Sequence, residues 1–139
     1  MAISQTLTTS FKQQSFLAVH DFSTDTFYIA LYTANATLGA DTTEYSVSLT
    51  GEVVASGYAA GGQALTGVGV VVSGTTAYVT FNNPAWTAAL TARGALIYNA
   101  TKSNKSVAVL DFGSDKTSNN TFTVQMPANA ASTALIRFP

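Results

Sequence analysis

The sequence contains no cysteine and a single histidine, His20. Disulfides and thiolate metal sites are therefore excluded, and the redox compartment stays open. One histidine without a cysteine partner or a metalloprotease-type spacing gives no metal site, and no cofactor motif is present. Charge is scarce too: Asp, Glu, Lys and Arg make up 9% of the 139 residues, against ~25% in ordinary soluble domains. The basic residues Lys12, Arg93, Lys102, Lys105, Lys116 and Arg137 are spread thinly. Nucleic-acid binding needs such residues clustered, to displace counterions from phosphates, so no nucleic-acid partner is expected. Lys102 and Lys105 flank an apparent turn and read as solvated. No apolar run approaches the ~20 residues of a membrane helix. Met1 to Ser10 shows neither the basic start nor the apolar block of an export signal. No membrane partner is expected.

What the chain does have is apolar mass. Hydrophobic residues reach 47% and aromatics 11%, enough for the core of one domain and unlike a disordered chain. The uncharged polar residues are mostly Thr, Ser, Asn and Gln. A surface made of them gives little repulsion between copies, and depletion of charge is a property of protein interfaces.

Ser10 to Asp21 reads as a helix, with Ser10 as N-cap and Gln13 as its capping-box partner. Phe11, Ser15 and Val19 share one face at i, i+4 spacing, and Phe16 and His20 share the next; the stripe reads as core packing. β-Character follows. Thr26 to Thr33 alternates Phe27, Ile29 and Leu31 with Tyr28, Ala30 and Tyr32, a strand with both faces at least partly covered. Ala34 to Gly51 is a long connection with a helical turn expected near Thr42 to Tyr45. Glu52 to Tyr58 reads as a short strand, and Gly61-Gly62 as a turn or bulge. Leu65 to Val72 and Thr75 to Phe81 form a hairpin about Ser73-Gly74, ended by Asn82-Asn83-Pro84 because proline donates no ladder bond. Trp86 is placed as a plug at one end of the core. A second hairpin joins Ala89–Asn99 to Val107–Phe112. Gly113 to Asn120 is read as a polar loop, and Thr121–Met126 and Thr133–Phe138 as closing strands.

This spacing indicates an all-β fold, a single jelly-roll-like β-sandwich of about 7–8 antiparallel strands with one short N-terminal helix. The domain covers residues 10–139, preceded by an extended segment, 1–9. The expected core is Phe27, Ile29, Leu31, Val70, Val72, Val79, Phe81, Leu96, Val109, Leu110, Phe122, Val124, Leu135 and Ile136. In the leading segment, Ala2, Ile3 and Leu7 form a candidate interaction element. It either lies extended against a neighbouring molecule or forms a strand of its own sandwich.

Catalytic signals are sparse. A glycosidase needs two carboxylates facing across a cleft. Asp111 and Asp115 bracket a strand end, and Asp21 and Asp25 bracket a connection; both pairs suit turn formation. Asp41, Glu44 and Glu52 stand apart in sequence. Gly67-Val68-Gly69 lies inside a strand pattern and reads as a bulge rather than a phosphate loop. The tyrosines and Trp86 suit filling or rimming the sandwich, their polar ends outward. No catalytic, cofactor-binding or metal residue is assigned, and the chain reads as a non-enzyme.

Several strings have a family character: Phe27–Thr33 (FYIALYT), Thr37–Tyr45 (TLGADTTEY), Gly51–Val53 (GEV), Gly57–Leu65 (GYAAGGQAL), Ala92–Asn99 (ARGALIYN), Ala108–Phe112 (AVLDF) and Ala134–Arg137 (ALIR). From about Ser10 onward the chain resembles a group of small virion proteins of tailed bacteriophages. The resemblance implies a structural role in the virion. A capsid decoration (cement) protein, bound to the phage major capsid protein on the outer head surface, is the first expectation. A tail, neck or fibre-base component bound to other virion proteins, or an adhesion module, is the alternative. Such a protein is expected to be a homo-oligomer.

Overall fold

The run at Phe27–Tyr32 is apolar or aromatic at every position, so neither of its faces can be left in water. The computed structural model, which describes residues 2–139, buries it at the middle of a five-stranded antiparallel sheet. The strands are β1 (Thr6–Leu7), β2 (Phe27–Tyr32), β3 (Gln63–Ala64), β7 (Thr91–Asn99) and β8 (Lys105–Thr117), in spatial order β1-β8-β7-β2-β3. A three-stranded sheet of β4 (Gly69–Ser73), β5 (Thr76–Thr80) and β10 (Arg137–Phe138) has order β10-β5-β4. A two-stranded sheet pairs β6 (Ala85–Thr87) with β9 (Thr121–Thr123). The fold is all-β and sandwich-like, with one short helix, α1 (Thr9–Phe16), between β1 and β2.

The register fixes what each face of the central sheet meets. Ile29 lies beside Ile97, and Ile97 beside Ala108; in the same way Leu31 lies beside Ala95, and Ala95 beside Leu110. This face joins the main core, where Phe11 of α1, Val79, Phe81, Trp86, Phe122, Val124 and Ile136 pack against it. On the other face Ala30 lies beside Leu96, and Leu96 beside Val109. There Ile3, Ala36, Leu38 and Tyr45 complete a second cluster. The cover comes from the leading segment and the long connection after β2. Ile3 bridges Leu38, with Ser4 N–H donating to Leu38 O at 2.9 Å. Gly94 makes room for this cover, because a Cβ there would sit 2.9 Å from the Ile3 side chain and 2.5 Å from Leu110 O.

Several elements differ from the sequence reading. The helix starts two residues earlier: Thr8 is the N-cap, and its Oγ1 accepts from Phe11 N–H at 3.3 Å. Thr8 is favoured over Ser10 because it is fully buried, its hydroxyl 2.9 Å from that of Ser106. The helix stops at Phe16, so Val19 and His20 lie beyond it and Phe16 is 91% exposed rather than packed. Its end is a Schellman arrangement, in which Val19 N–H donates to Gln14 O and Ala18 N–H to Ser15 O. Ala18 occupies the left-handed position at φ +56.

Residues 42–45 form no helical turn, because their backbone is taken by the β8 hairpin: Tyr45 N–H donates to Asn104 O and Ser106 N–H to Thr43 O. Residues 52–58 make only isolated bridges, Tyr32 with Glu52 and Ala55 with Tyr58. The first hairpin turns at Gly74-Thr75, one residue later than expected, with Gly74 at φ +61. That φ suits the first position of a two-residue hairpin turn.

Val70 and Val72 are 57% and 71% exposed, and Leu135 is only partly buried, whereas the other eleven expected core residues are buried. Alternation put the two valines on the core-facing side of β4, but the hairpin overhangs the core. β8 runs on to Thr117 through the expected polar loop, with a bulge over residues 112–115 between the pairs Gly94–Asp111 and Ala92–Lys116. The closing strands are short because side-chain amides replace their ladder. Asn83 Oδ1 accepts from Met126 N–H, and Asn129 bonds both N–H and C=O of Phe81.

Three substitutions test this arrangement. Leu96→Ala empties a fully buried position and should cost ~2–5 kcal/mol in chemical denaturation. Val54→Ala, at a 97% exposed site, should stay within about 0.5 kcal/mol. Ala18→Gly should stabilise the chain by about 1 kcal/mol, since glycine takes the left-handed conformation without a Cβ penalty. An unchanged or lowered denaturation midpoint for Ala18→Gly would contradict the assigned helix end.

Candidate functional site

The residues suited to chemistry gather in two polar networks. In the first, the single histidine sits on Asn99 at the end of β7. His20 Nε2–H donates to Gln14 Oε1 at 2.8 Å, and Nδ1 accepts from Asn99 Nδ2 at 3.0 Å. That pattern requires the neutral imidazole. Asn99 is fully buried; its Oδ1 caps the 3-10 turn Ala100–Lys102, and its Nδ2 also donates to Asp25 Oδ2 at 2.8 Å. Lys102 Nζ reaches Asp25 Oδ2 at 2.9 Å and Val19 O at 2.8 Å. Lys102 is therefore an ion-pair partner rather than a solvated turn residue. Asp21 and Asp25 do organise their connection: Asp25 Oδ2 accepts from Asp21 N–H, and Asp21 Oδ1 from Ser23 N–H.

In the second network three donors converge on one carboxylate. Glu52 Oε1 accepts from Tyr45 OH at 2.7 Å, and Oε2 accepts from Tyr58 OH at 2.8 Å and Gly61 N–H at 2.7 Å. Tyr58 OH in turn accepts from Leu31 N–H, and Tyr98 OH donates to Gly61 O at 2.6 Å. Tyr45 stacks on Tyr98 with ring centroids 4.6 Å apart. Burial pushes the Tyr98 phenol up to about 12, with the Glu52 charge adding to it. Tyr32, Tyr45 and Tyr58 are pushed further up, mainly by burial. These phenols are fixed hydrogen donors at any physiological pH. Among the described residues, Tyr32 OH is the one buried side-chain polar atom without a partner. The Tyr45 and Tyr58 hydroxyls thus point inward onto Glu52, the reverse of the outward rim expected for the tyrosines, because Glu52 supplies acceptors inside.

A groove of about 570 Å³ lies between the distal part of β8 and the segment from β9 to Pro127. Consecutive residues line it: Leu110–Phe112, Lys116–Ser118 and Thr121–Gln125. A pocket over a sheet face would be lined by alternate residues, so this groove runs along strand edges. Phe112 and Phe122, centroids 6.2 Å apart, form its apolar floor. Its rim carries Asp111, which is bonded to Arg93 at 3.3 Å, together with Gln5 and Lys116. Gln5 Oε1 accepts from Asp111 N–H where β1 has stopped pairing. The consecutive polar-apolar string Asp111–Gln125 gave no sign of the groove in sequence, because its two walls meet only through the fold.

The candidate interaction element divides. Ala2 is exposed, Ile3 is buried in the second cluster, and Leu7 packs on the main core opposite Ala108. Within the chain, Thr6–Leu7 pairs with β8 and Ile3 bridges Leu38. Asp115 is exposed and lies apart from the polar networks. Among the described residues no three His, Asp or Glu side chains gather as a metal site, and no helix is long and apolar enough to cross a membrane.

The first network predicts a pH dependence. Burial lowers the His20 pKa below 6.5, with Lys102 and Lys105 adding and Asp25 opposing. A depressed pKa means the unfolded chain binds the proton more readily. The stability from neutral His20 is therefore whole above 6.5 and lost as pH falls from there through the lowered value. For Asp25, burial opposes ionisation, but hydrogen bonds from Asn99, Lys102 and Asp21 outweigh it and hold the carboxyl below 3.8. Its contribution persists until more acid pH. Thermal melts should show a loss as pH falls below 6.5 that shrinks in His20→Gln. An equal loss in both proteins would remove His20 as its source.

Set against protein-family models, curated proteins and solved structures, the chain matches none of them.

Proposed function

We propose that the chain is a structural protein of a tailed-phage particle, a decoration protein held on the outer head surface by the major capsid protein. One observation carries this reading. No charged residue occurs between Glu52 and Arg93, and that span exposes Val54, Val70, Val71 and Val72. A neutral, valine-bearing surface is suited to lying against other protein, since charge is what an interface core excludes. The resemblance of the FYIALYT, ARGALIYN and AVLDF strings to virion proteins supplies the setting. Use of His20, Asp25 and Glu52 in internal hydrogen bonds fits a scaffold role.

A second reading, a tail, neck or fibre-base protein or an adhesion module, is favoured by the groove between β8 and β9. Its aromatic floor and polar rim would hold an extended partner segment. Copy number per particle separates the two, hundreds of copies for decoration and a dozen or fewer for a neck component (orders of magnitude set by shell against axial symmetry).

Attachment through a neutral surface should depend weakly on salt, because screening acts on charged contacts. Retention on particles or empty shells should change little between about 0.1 M and about 1 M salt. Release by moderate salt would count against shape-driven attachment. Deleting residues 2–9 is a poor probe of attachment, since it also removes Ile3 and Leu7 from the two cores.

A further inference from the structure

Strand β4 is the outer edge of its sheet, and it carries none of the usual protections. It has no charge, no proline and no bulge, and its register against β5 is unbroken from Gly69–Thr80 to Ser73–Thr76. Neighbouring chains are normally kept off such an edge by one of those devices. The two-residue turn makes Ser73 and Thr76 a hydrogen-bonded pair, and such pairs alternate along an antiparallel ladder. Gly69, Val71 and Ser73 therefore spend their backbone groups on β5. The N–H and C=O of Val70 and Val72 point outward.

We infer that this edge pairs with a second copy of the chain, β4 to β4 and antiparallel, about a two-fold axis at Val71. The strand is close to a palindrome: small, Val, Val, Val, small, from Gly69 to Ser73. Centring the axis on Val71 sets Val70 opposite Val72 of the second copy, and Val72 opposite its Val70. Both pairs are then of the hydrogen-bonded kind and use the outward groups, while Val71 faces its own counterpart as a non-bonded pair. No other register satisfies both the outward groups and the symmetry so fully.

The side chains agree with this register. Residues directly paired across strands share a face, so Val72, Ala77 and Phe138 form one lateral row. That row is the overhang, with Val72 71% and Phe138 64% exposed. Val70 and Val79 form the next row, which enters the main core through Val79. Across the axis the exposed row of one copy runs into the Val70–Val79 row of the other. Two three-stranded sheets become one continuous sheet with a continuous apolar face. The span between Glu52 and Arg93 brings no charges together, so two copies meet without repulsion. A short strand pair is small beside the ~800 Å² per partner of a stable dimer, so a Kd on the order of 10–100 µM is expected.

The inference concerns the free chain and does not rest on the phage reading. The test uses the full chain in sedimentation velocity over a dilution series, with Val71→Lys, Val71→Glu and Val72→Pro. Like charges directly opposite one another are destabilising, so each charged variant alone should weaken dimerisation about tenfold or more. An equimolar mixture of the Lys and Glu variants should regain it as a heterodimer, which a merely misfolded variant would not do. Val72→Pro removes only an outward N–H, so it should leave the melt nearly unchanged while abolishing the dimer. A wild-type chain still monomeric at about 1 mM, or charged variants whose mixture stays monomeric while wild type dimerises, would overturn the pairing. Failure of the salt-series result with the dimer intact would remove the shell reading alone.

Discussion

Burial of β2 and β7 on both faces is the constraint on which the rest depends. A sheet with one wet face needs a single cover, but here Ile29, Leu31 and Ile97 look one way while Ala30, Tyr32 and Leu96 look the other. The main core is covered by strands and a helix. The second face has no sheet left to cover it, so it takes irregular chain: Ile3 from the leading segment and Ala36 to Tyr45 from the connection after β2. Irregular chain brings unpaired backbone with it, and buried backbone groups require partners. That is why Leu38, Tyr45 and Gly61 are tied back by specific bonds to Ala2, Asn104 and Glu52.

Much of the framework was legible in the sequence. The strand at Thr26 to Thr33, the two hairpins and the burial of Trp86 all follow from strong local signals: dense apolar runs, a glycine turn and a proline stop. The failures share a cause. Alternation tells which side chains share a face, but not whether anything lies over that face; Val70 and Val72 share a face with Val79 and yet overhang the core. Thr8, Thr9 and Ser10 are all competent N-caps, and the choice falls to Thr8 through Ser106, far along the chain. Lys102 looked solvated because its local neighbours form a turn, whereas its partner Asp25 is distant in sequence. Glu52 and its three donors lie within residues 45–61, but that stretch has no regular period, and Leu31 and Tyr98 join it only through the fold.

The two polar networks do different physical work. Tyr45 and Tyr58 bind Glu52 through neutral phenols that burial holds well above their usual range, so these donors keep their protons at physiological pH. The His20 network is built on a neutral imidazole that acid protonates, and its partners lie at the junction of the helix loop, β7 and the turn before β8. One fold thus contains a fixed joint beside the central sheet and a titratable one at its end.

The pairing of β1 with β8 has a consequence in time. Thr6 and Leu7 have no ladder partner until Val109 and Ala108 have been made. At ~5–20 residues per second of synthesis, the leading strand waits several seconds as free chain. The sheet face destined for Ile3 is completed only when β8 docks. Closing so long a loop costs entropy before any contact rewards it, which slows folding of such topologies. The cover over the second core is therefore expected to be the last piece to settle. Conditions that delay β8 would leave that face of the nascent sheet open to solvent.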